Sequence, residues 1–330
     1  MLKVGLNGFG RIGRHVLRRG VKSKKLEFIA VNFAAGGKDA AHLFKYDSVY
    51  GKFAGKVEGF DNYFTVDGKK ILVFSERDPK KIGWKKYGVD LVIECTGVFL
   101  SKSEAKMHLD GGAKKVIITA PAKGDEAVPS VVLGVNSGQK NADSIIDAAS
   151  CTTNCLMPVL KVLNDKFGLK RAFMTTIHAY TNDQNIVDSR HKDLRRARAA
   201  ALNIIPTTTG ASKAVAKVLP ELAGKVEGIA IRVPVPSGSL IDLVVELEKG
   251  TTPQEINAEM KKASETYLKG ILEYTKEPIV SSDVLGNTHS AIFDALSTVV
   301  LGKNFAKVLA WYDNEMGYAQ RVVDLAESLA

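Results

Sequence analysis

The chain has 330 residues, a formal net charge of +10, 45% hydrophobic side chains and 25% charged ones. That length exceeds one ordinary core, so two domains are expected, and the composition excludes disordered and fibrous classes. No apolar run approaches the roughly 18 residues of a membrane span, and three cysteines are too few and too odd a set for a disulfide framework.

Residues 1–7 lead straight into a strand, without a charged leader or cleavage site, so an intracellular, cytoplasmic location is expected. Residues 3–7 read as that first strand and residues 11–19 as a helix behind it. Between them stands Gly8-Phe9-Gly10-Arg11-Ile12-Gly13, a G-x-G-x-x-G in the strand–turn–helix setting that gives the motif meaning. Gly8 permits a tight turn, Gly10 lets backbone approach a pyrophosphate, and Gly13 allows close helix–strand packing. The helix N-terminus offers free N–H groups and a positive dipole end to the same anion. Residues 27–32 form a second strand. About 20 positions past the fingerprint, a carboxylate for a ribose 2′-hydroxyl is expected. Phe33 stands there, and residues 32–37 hold no acid, which removes a barrier to a 2′-phosphate.

Apolar runs at residues 91–95, 116–119 and 131–133 read as further strands. Near-continuous apolar strands suit a parallel sheet covered on both faces, and their alternation with helices predicts a doubly wound α/β domain. From residue 172 the strands lengthen, at 172–178, 228–233 and 240–247, with helices at 209–219 and 252–267 between them. Long strands grouped together predict a mostly antiparallel sheet with helices on one face. Residues 316–329, with Val322, Val323, Leu325 and Leu329, read as a closing helix. The expected fold is therefore α/β plus α+β. A Rossmann doubly wound parallel-sheet domain spans residues 1–150 and is completed by the C-terminal helix 315–330, and a mostly antiparallel catalytic domain spans 151–314.

The chemistry concentrates at the domain boundary. Within Ser150-Cys151-Thr152-Thr153-Asn154, Cys151 precedes a predicted helix over 152–163, which would place it where the helix dipole favours a thiolate and backbone N–H groups can face an oxyanion. His178 ends a strand, and a histidine beside a thiol can take its proton and later return one. The alternatives are a small buried hydrophobe for the cysteine and a satisfied core residue for the histidine. Cys95 and Cys155 fit that plainer description. Cys151 and Cys155 alone, without a second pair, make no zinc site, and no metal is expected. Lysines such as Lys22, Lys24, Lys25, Lys69 and Lys70 are scattered, without interleaved aromatics, so nucleic acid is not the main partner. Residues 192–198 (Lys192-Asp193-Leu194-Arg195-Arg196-Ala197-Arg198) are a denser basic cluster.

The motif at 150–155 resembles the active-site signature of phosphorylating glyceraldehyde-3-phosphate dehydrogenases, and the resemblance runs the length of the chain. It includes residues 7–14, 46–48, His178-Ala179-Tyr180-Thr181, the basic cluster in the family's S-loop (about 179–203), residues 206–211, Ile231-Arg232-Val233-Pro234 and residues 311–318. It implies that Cys151 attacks the aldehyde of glyceraldehyde 3-phosphate, that His178 acts as base, and that inorganic phosphate resolves a thioester. It places the substrate phosphate at Thr181 and Arg232 and the attacking phosphate at Ser150, Thr209 and Gly210. Arg195 lies near both, and Thr152 belongs to the same set. The cofactor set is Gly8, Gly10, Arg11, Ile12, Gly13, Phe33, Arg77, Thr96, Thr119, Ser189, Arg190, Asn314 and Tyr318. A homotetramer is implied. NAD-using members carry Asp where Phe33 stands, and often Leu-Pro where this chain has Ser189-Arg190, so NADP is the favoured cofactor and NAD the other. Erythrose-4-phosphate dehydrogenase shares the scaffold and is the alternative activity.

Overall fold

The structure, a computed structural model, describes residues 1–330 and divides into two compact units. The first comprises Met1–Val131, Ser137–Ala149 and Ala319–Ala330, and the second Val132–Asn136 and Ser150–Tyr318.

In the first unit the elements are β1 (Leu2–Asn7), α1 (Arg11–Gly20), β2 (Leu26–Asn32), α2 (Gly37–Lys45), β3 (Val57–Gly59), β4 (Tyr63–Val66), β5 (Lys69–Phe74), β6 (Leu91–Glu94), α3 (Lys102–Asp110), β7 (Lys115–Ile118) and β8 (Ile145–Asp147). They make one sheet of order β3-β4-β5-β2-β1-β6-β7-β8. The six strands from β5 to β8 run parallel, and the β3–β4–β5 edge is antiparallel. Val4, Leu6, Val92, Ile93, Val116 and Ile117 are fully buried, as strands covered on both faces require. The chain leaves β1 for β2 on one side and returns to β6 on the other, so the C-terminal end of β1 is the topological switch point where such sheets open a crevice.

The second unit holds α4 (Cys151–Phe167), β9 (Leu169–Ala179), β10 (Ile205–Thr208), α5 (Ala211–Val218), β11 (Val226–Val233), β12 (Ser239–Leu247), α6 (Pro253–Glu265), β13 (Leu272–Thr275), β14 (Ala291–Leu301), β15 (Phe305–Tyr312) and the start of α7 (Met316–Glu327). Its sheet has the order β10-β11-β9-β12-β15-β14-β13. Four of the six pairings are antiparallel; β11–β9 and β13–β14 are parallel. The expected fold class is therefore observed in both units. Helix α4 packs on β9, β12, β14 and β15 and is buried along most of its length, so its apolar residues anchor the N-terminal turn rigidly. Capping boxes start α3 (Ser101, Glu104) and α6 (Thr252, Glu255) by satisfying first-turn N–H groups. No helix is long and apolar enough to cross a membrane.

One expected strand is absent. Residues 131–133 are apolar because Val131 and Val132 are buried, but the chain makes only a single bridge, Ser130 to Asp147, before turning. The amides of Val135 and Asn136 both close onto Val132 O, and Gly134 takes φ +82°, a left-handed value that ends any strand. The eighth strand is formed instead by Ile145–Asp147.

Candidate active site

Ser150 caps α4, its Oγ accepting from Thr153 N at 3.1 Å, and this makes Cys151 the first helical residue. Asn154 reinforces the turn by donating both its backbone and side-chain N–H to Ser150 O. Burial pushes the Cys151 thiol up, against the charge of Arg232 and hydrogen bonds from the Thr152 hydroxyl and the Thr152 and Cys151 amides. Those amides are the N–H groups that a first helical turn leaves without carbonyl partners. Cys95 and Cys155 are also held protonated by burial, and neither has an imidazole partner.

His178 Nε2 lies 3.4 Å from Cys151 Sγ. Its Nδ1 is 2.7 Å from Ala179 O, an acceptor, and 3.2 Å from Arg232 Nη1, a donor; the shorter contact assigns the proton to Nδ1, so Nε2 presents a lone pair to the thiol. Burial first, and then the Arg232 charge, push the imidazole down to about 3. The resting pair is therefore a neutral thiol donating to a neutral imidazole. Thiolate forms as the proton passes to His178 during attack. Because the folded pKa of His178 lies below the unfolded value, stability is lost as pH falls from 6.5 toward about 3, by about 1.4 kcal/mol per unit. His178→Asn should remove that dependence. The stability difference between variant and wild type, from denaturant titrations at pH 7, 5 and 4, should shift toward the variant on acidification, and a constant difference would contradict the buried neutral state.

Arg232 is opposite His178 in the parallel β11–β9 pairing, which explains their proximity. Its Nη1 donates to Ala179 O at 3.1 Å and to Thr181 Oγ1 at 3.2 Å. Its Nε is buried without a partner, and no carboxylate pairs with the guanidinium in its salt bridges or hydrogen bonds. A half-buried guanidinium with a buried, unpartnered Nε and no carboxylate against it is suited to an anion. Thr209 and Gly210 precede α5, whose first turn carries no acid, and a Cβ at Gly210 would meet nothing within 4 Å. That helix end is open to a second anion. The basic cluster divides. Arg196 is committed to Asp183, Thr207 Oγ1 and Thr208 O, and Arg198 to Asp188. Arg195 is exposed, with one long bond to Pro206 O at 3.4 Å. Arg196 nevertheless contributes charge at both His178 and Arg232, a role that sequence reading did not assign.

In the first unit, a cavity of about 560 Å³ opens at the switch point, lined by Gly8, Phe9, Gly10, Phe33, Glu76, Arg77, Thr96 and neighbours. Gly8 has φ +97°, and a Cβ at Gly13 would sit 2.3 Å from Gly8 O, so both positions exclude side chains. The N-cap Gly10 leaves the first amides of α1 without a side-chain partner and no acid sits in the first turn. These features fit a dinucleotide pyrophosphate. Arg11 spends its guanidinium on Asp47 at 2.7 Å, leaving backbone as its contribution. Glu94, buried at the end of β6, accepts from Asn7 Nδ2, Thr96 N, Thr96 Oγ1 and His108 Nε2 and so ties the loops around the cavity. Thr119 donates to Glu94 O at 2.8 Å. Phe33 lines the cavity with exposed Arg77 beside it, but Glu76 lines it too, a carboxylate that comes from outside residues 32–37. Ser189 and Arg190 are exposed on the loop after β9.

In the second unit, Asn314 Oδ1 accepts from Gly238 N, Ser239 Oγ and Ser237 Oγ at 3.1, 2.8 and 3.3 Å. Three donors on one oxygen fix the amide and present its NH₂ as the donor, suited to a carboxamide oxygen. Tyr318 is buried in the first turn of α7.

Comparison with known proteins identifies the family. Residues 2–102 match the family model "Glyceraldehyde 3-phosphate dehydrogenase, NAD binding domain", and residues 150–314 match its C-terminal domain. The chain is 56% identical over 328 residues to glyceraldehyde-3-phosphate dehydrogenase 1 of Bacillus cereus, covering 99% of this chain and 98% of that protein. It is 54% identical over 331 residues to the glyceraldehyde-3-phosphate dehydrogenase of Geobacillus stearothermophilus (100% and 98%), and 52% identical over 335 residues to glyceraldehyde-3-phosphate dehydrogenase 2 of Nostoc sp. (100% and 99%). With both domain models matched and more than half of its residues shared with full-length relatives, the chain belongs to the glyceraldehyde-3-phosphate dehydrogenase family of oxidoreductases.

Proposed function

We propose that this protein is a phosphorylating glyceraldehyde-3-phosphate dehydrogenase, converting the aldehyde, inorganic phosphate and an oxidised nicotinamide dinucleotide to an acyl phosphate, reversibly. The carrying observation is the Cys151 Sγ–His178 Nε2 approach of 3.4 Å beside the Thr181–Arg232 pair. Sulfur attacks the aldehyde carbon as its proton passes to Nε2, which hands that proton to the carbonyl oxygen, giving a thiohemiacetal and a neutral His178. His178 accepts the hydroxyl proton as the carbon gives up hydride, leaving a thioester on Cys151. The bound dinucleotide supplies the hydride acceptor. A phosphate oxygen then attacks the thioester carbonyl, the C–S bond breaks, and Cys151 recovers its proton. Ser150, Thr152, Thr209 and Gly210 hold the incoming phosphate, Arg232 and Thr181 hold the substrate's own, and Arg195 serves both. Two anion sites favour this reading over a non-phosphorylating dehydrogenase.

NADP is the preferred cofactor in this reading, with NAD as the other. Support comes from Phe33 in place of an acid and from Arg77, Ser189 and Arg190, while Glu76 opposes it. A homotetramer is supported by the exposed apolar side chains of Ile186, Val187, Leu194 and Leu202 on the S-loop and Ile204 just after it, too many for a solvated loop. A cytoplasmic location accompanies this activity.

The test is aldehyde-dependent reduction with NADP and NAD in parallel, with and without phosphate, on glyceraldehyde 3-phosphate and erythrose 4-phosphate. Phosphate-dependent turnover of glyceraldehyde 3-phosphate with NADP ahead is expected. Phe33→Asp should lower the NADP/NAD ratio of kcat/KM by about tenfold or more through like-charge repulsion. NAD ahead in the wild type contradicts the cofactor assignment, and preference for erythrose 4-phosphate contradicts the substrate.

A further inference from the structure

A thiol and an imidazole on different elements keep a 3.4 Å approach only if those elements are held to each other. Cys151 opens α4 and His178 stands near the end of β9. Tyr312, at the end of β15, lies between them. It is 1% exposed, and its hydroxyl sits 3.0 Å from Thr152 Oγ1 and 2.8 Å from Thr176 Oγ1. Thr152 follows Cys151 directly. Thr176 is two residues before His178, hence on the same face of the strand. Both threonines are buried, at 5% and 1% exposure. The phenol ring meets His178 edge-on, with centroids 6.0 Å apart and planes at 74°. Tyr312 is opposite Ser239 on β12, whose hydroxyl accepts from Ala179 N at 3.1 Å and donates to Asn314 Oδ1.

We infer that Tyr312 is a positioning residue for the reaction: its buried hydroxyl bridges Thr152 and Thr176 and so sets the distance and angle between Cys151 and His178. The inference rests on the reading of those two as nucleophile and base. A phenol OH has one proton and accepting lone pairs, so it can donate to one threonine and accept from the other. Phenylalanine would fill the same volume and keep the edge contact with His178. It would leave both threonine hydroxyls buried without this partner and let α4 drift relative to β9. Small misplacements of reacting groups reduce rate far more than binding.

The experiment uses the full-length protein and the variants Tyr312→Phe, Thr176→Val and Thr176→Ser. The rate of Cys151 alkylation by iodoacetamide is followed against pH by peptide mass spectrometry, with buried Cys155 as the internal reference. Steady-state kcat and KM and the thermal midpoint are measured alongside. Tyr312→Phe and Thr176→Val should each lower kcat and the alkylation rate by about tenfold or more, shift the alkylation pH profile, and leave KM for aldehyde and cofactor within about twofold. Thr176→Ser, which keeps the hydroxyl, should restore both rates. A folded Tyr312→Phe with wild-type kcat and alkylation profile would overturn the inference. So would a kcat loss that follows the thermal midpoint alone while alkylation is unchanged. His178→Asn is the separate control: alkylation indifferent to it would overturn the nucleophile–base reading itself, whatever Tyr312 does.

Discussion

Cys151→Ser should lower kcat/KM for phosphate-dependent oxidation by roughly 10⁴-fold or more, while cofactor binding and the thermal midpoint stay close to wild type. A serine hydroxyl is a far weaker nucleophile than a thiol, and at this site its ester would be poorly released to phosphate. The substitution is small, and the capping of α4 by Ser150 does not involve the sulfur. Turnover and equilibrium cofactor binding, measured on one preparation, check this. Substantial residual activity in Cys151→Ser would move the chemistry elsewhere, and neither other cysteine has a base beside it.

The second large effect belongs to Arg232. Arg232→Leu should lower kcat/KM for the phosphorylated aldehyde by roughly 10- to 150-fold, the 1.5–3 kcal/mol of a hydrogen bond to a charged group. Much less should be lost with unphosphorylated glyceraldehyde, which has no phosphate for the guanidinium to hold. The comparison of two substrates separates anion binding from general damage, since a misfolded site would lose both equally. Arg232 also lowers the pKa of both His178 and Cys151. Its removal should therefore raise the alkylation pKa of Cys151 and let His178 protonate at higher pH, moving the acid limb of the rate profile upward. Equal losses on the two aldehydes would contradict the placement of the substrate phosphate.

The sequence made much of this legible because its strongest signals are local. The fingerprint at Gly8–Gly13 needs only a strand, a turn and a helix, and Ser150-Cys151 needs only a cap and the turn after it. Both are short-range events with short-range signatures. The antiparallel edge at Val57–Gly59 and Tyr63–Val66 went unread because those strands are three and four residues long, too brief for a clear period of two. Residues 131–133 misled for the opposite reason: burial makes a turn as apolar as a strand. Register was out of reach altogether. That Arg232 falls beside His178, and that Tyr312 reaches Thr152 and Thr176, depends on how β9, β11, β12 and β15 align across long sequence separations. Glu76 was missed because the acid expected near a ribose was sought after β2, whereas this one comes from the loop after β5. The roles drawn from family resemblance at Thr181 and Arg232 rest on motifs, and geometry adds the 3.2 Å contact between them.

The most direct measurement is a single turnover without phosphate. Enzyme, glyceraldehyde 3-phosphate and oxidised cofactor are mixed, quenched in acid, and analysed by intact and peptide mass spectrometry. A glyceroyl-phosphate adduct on the Cys151 peptide, formed with one equivalent of reduced cofactor and discharged when phosphate is added, is the expected result. An adduct on another residue, or multiple turnovers at the full rate without phosphate and without any adduct, would contradict a thioester at Cys151 resolved by phosphate.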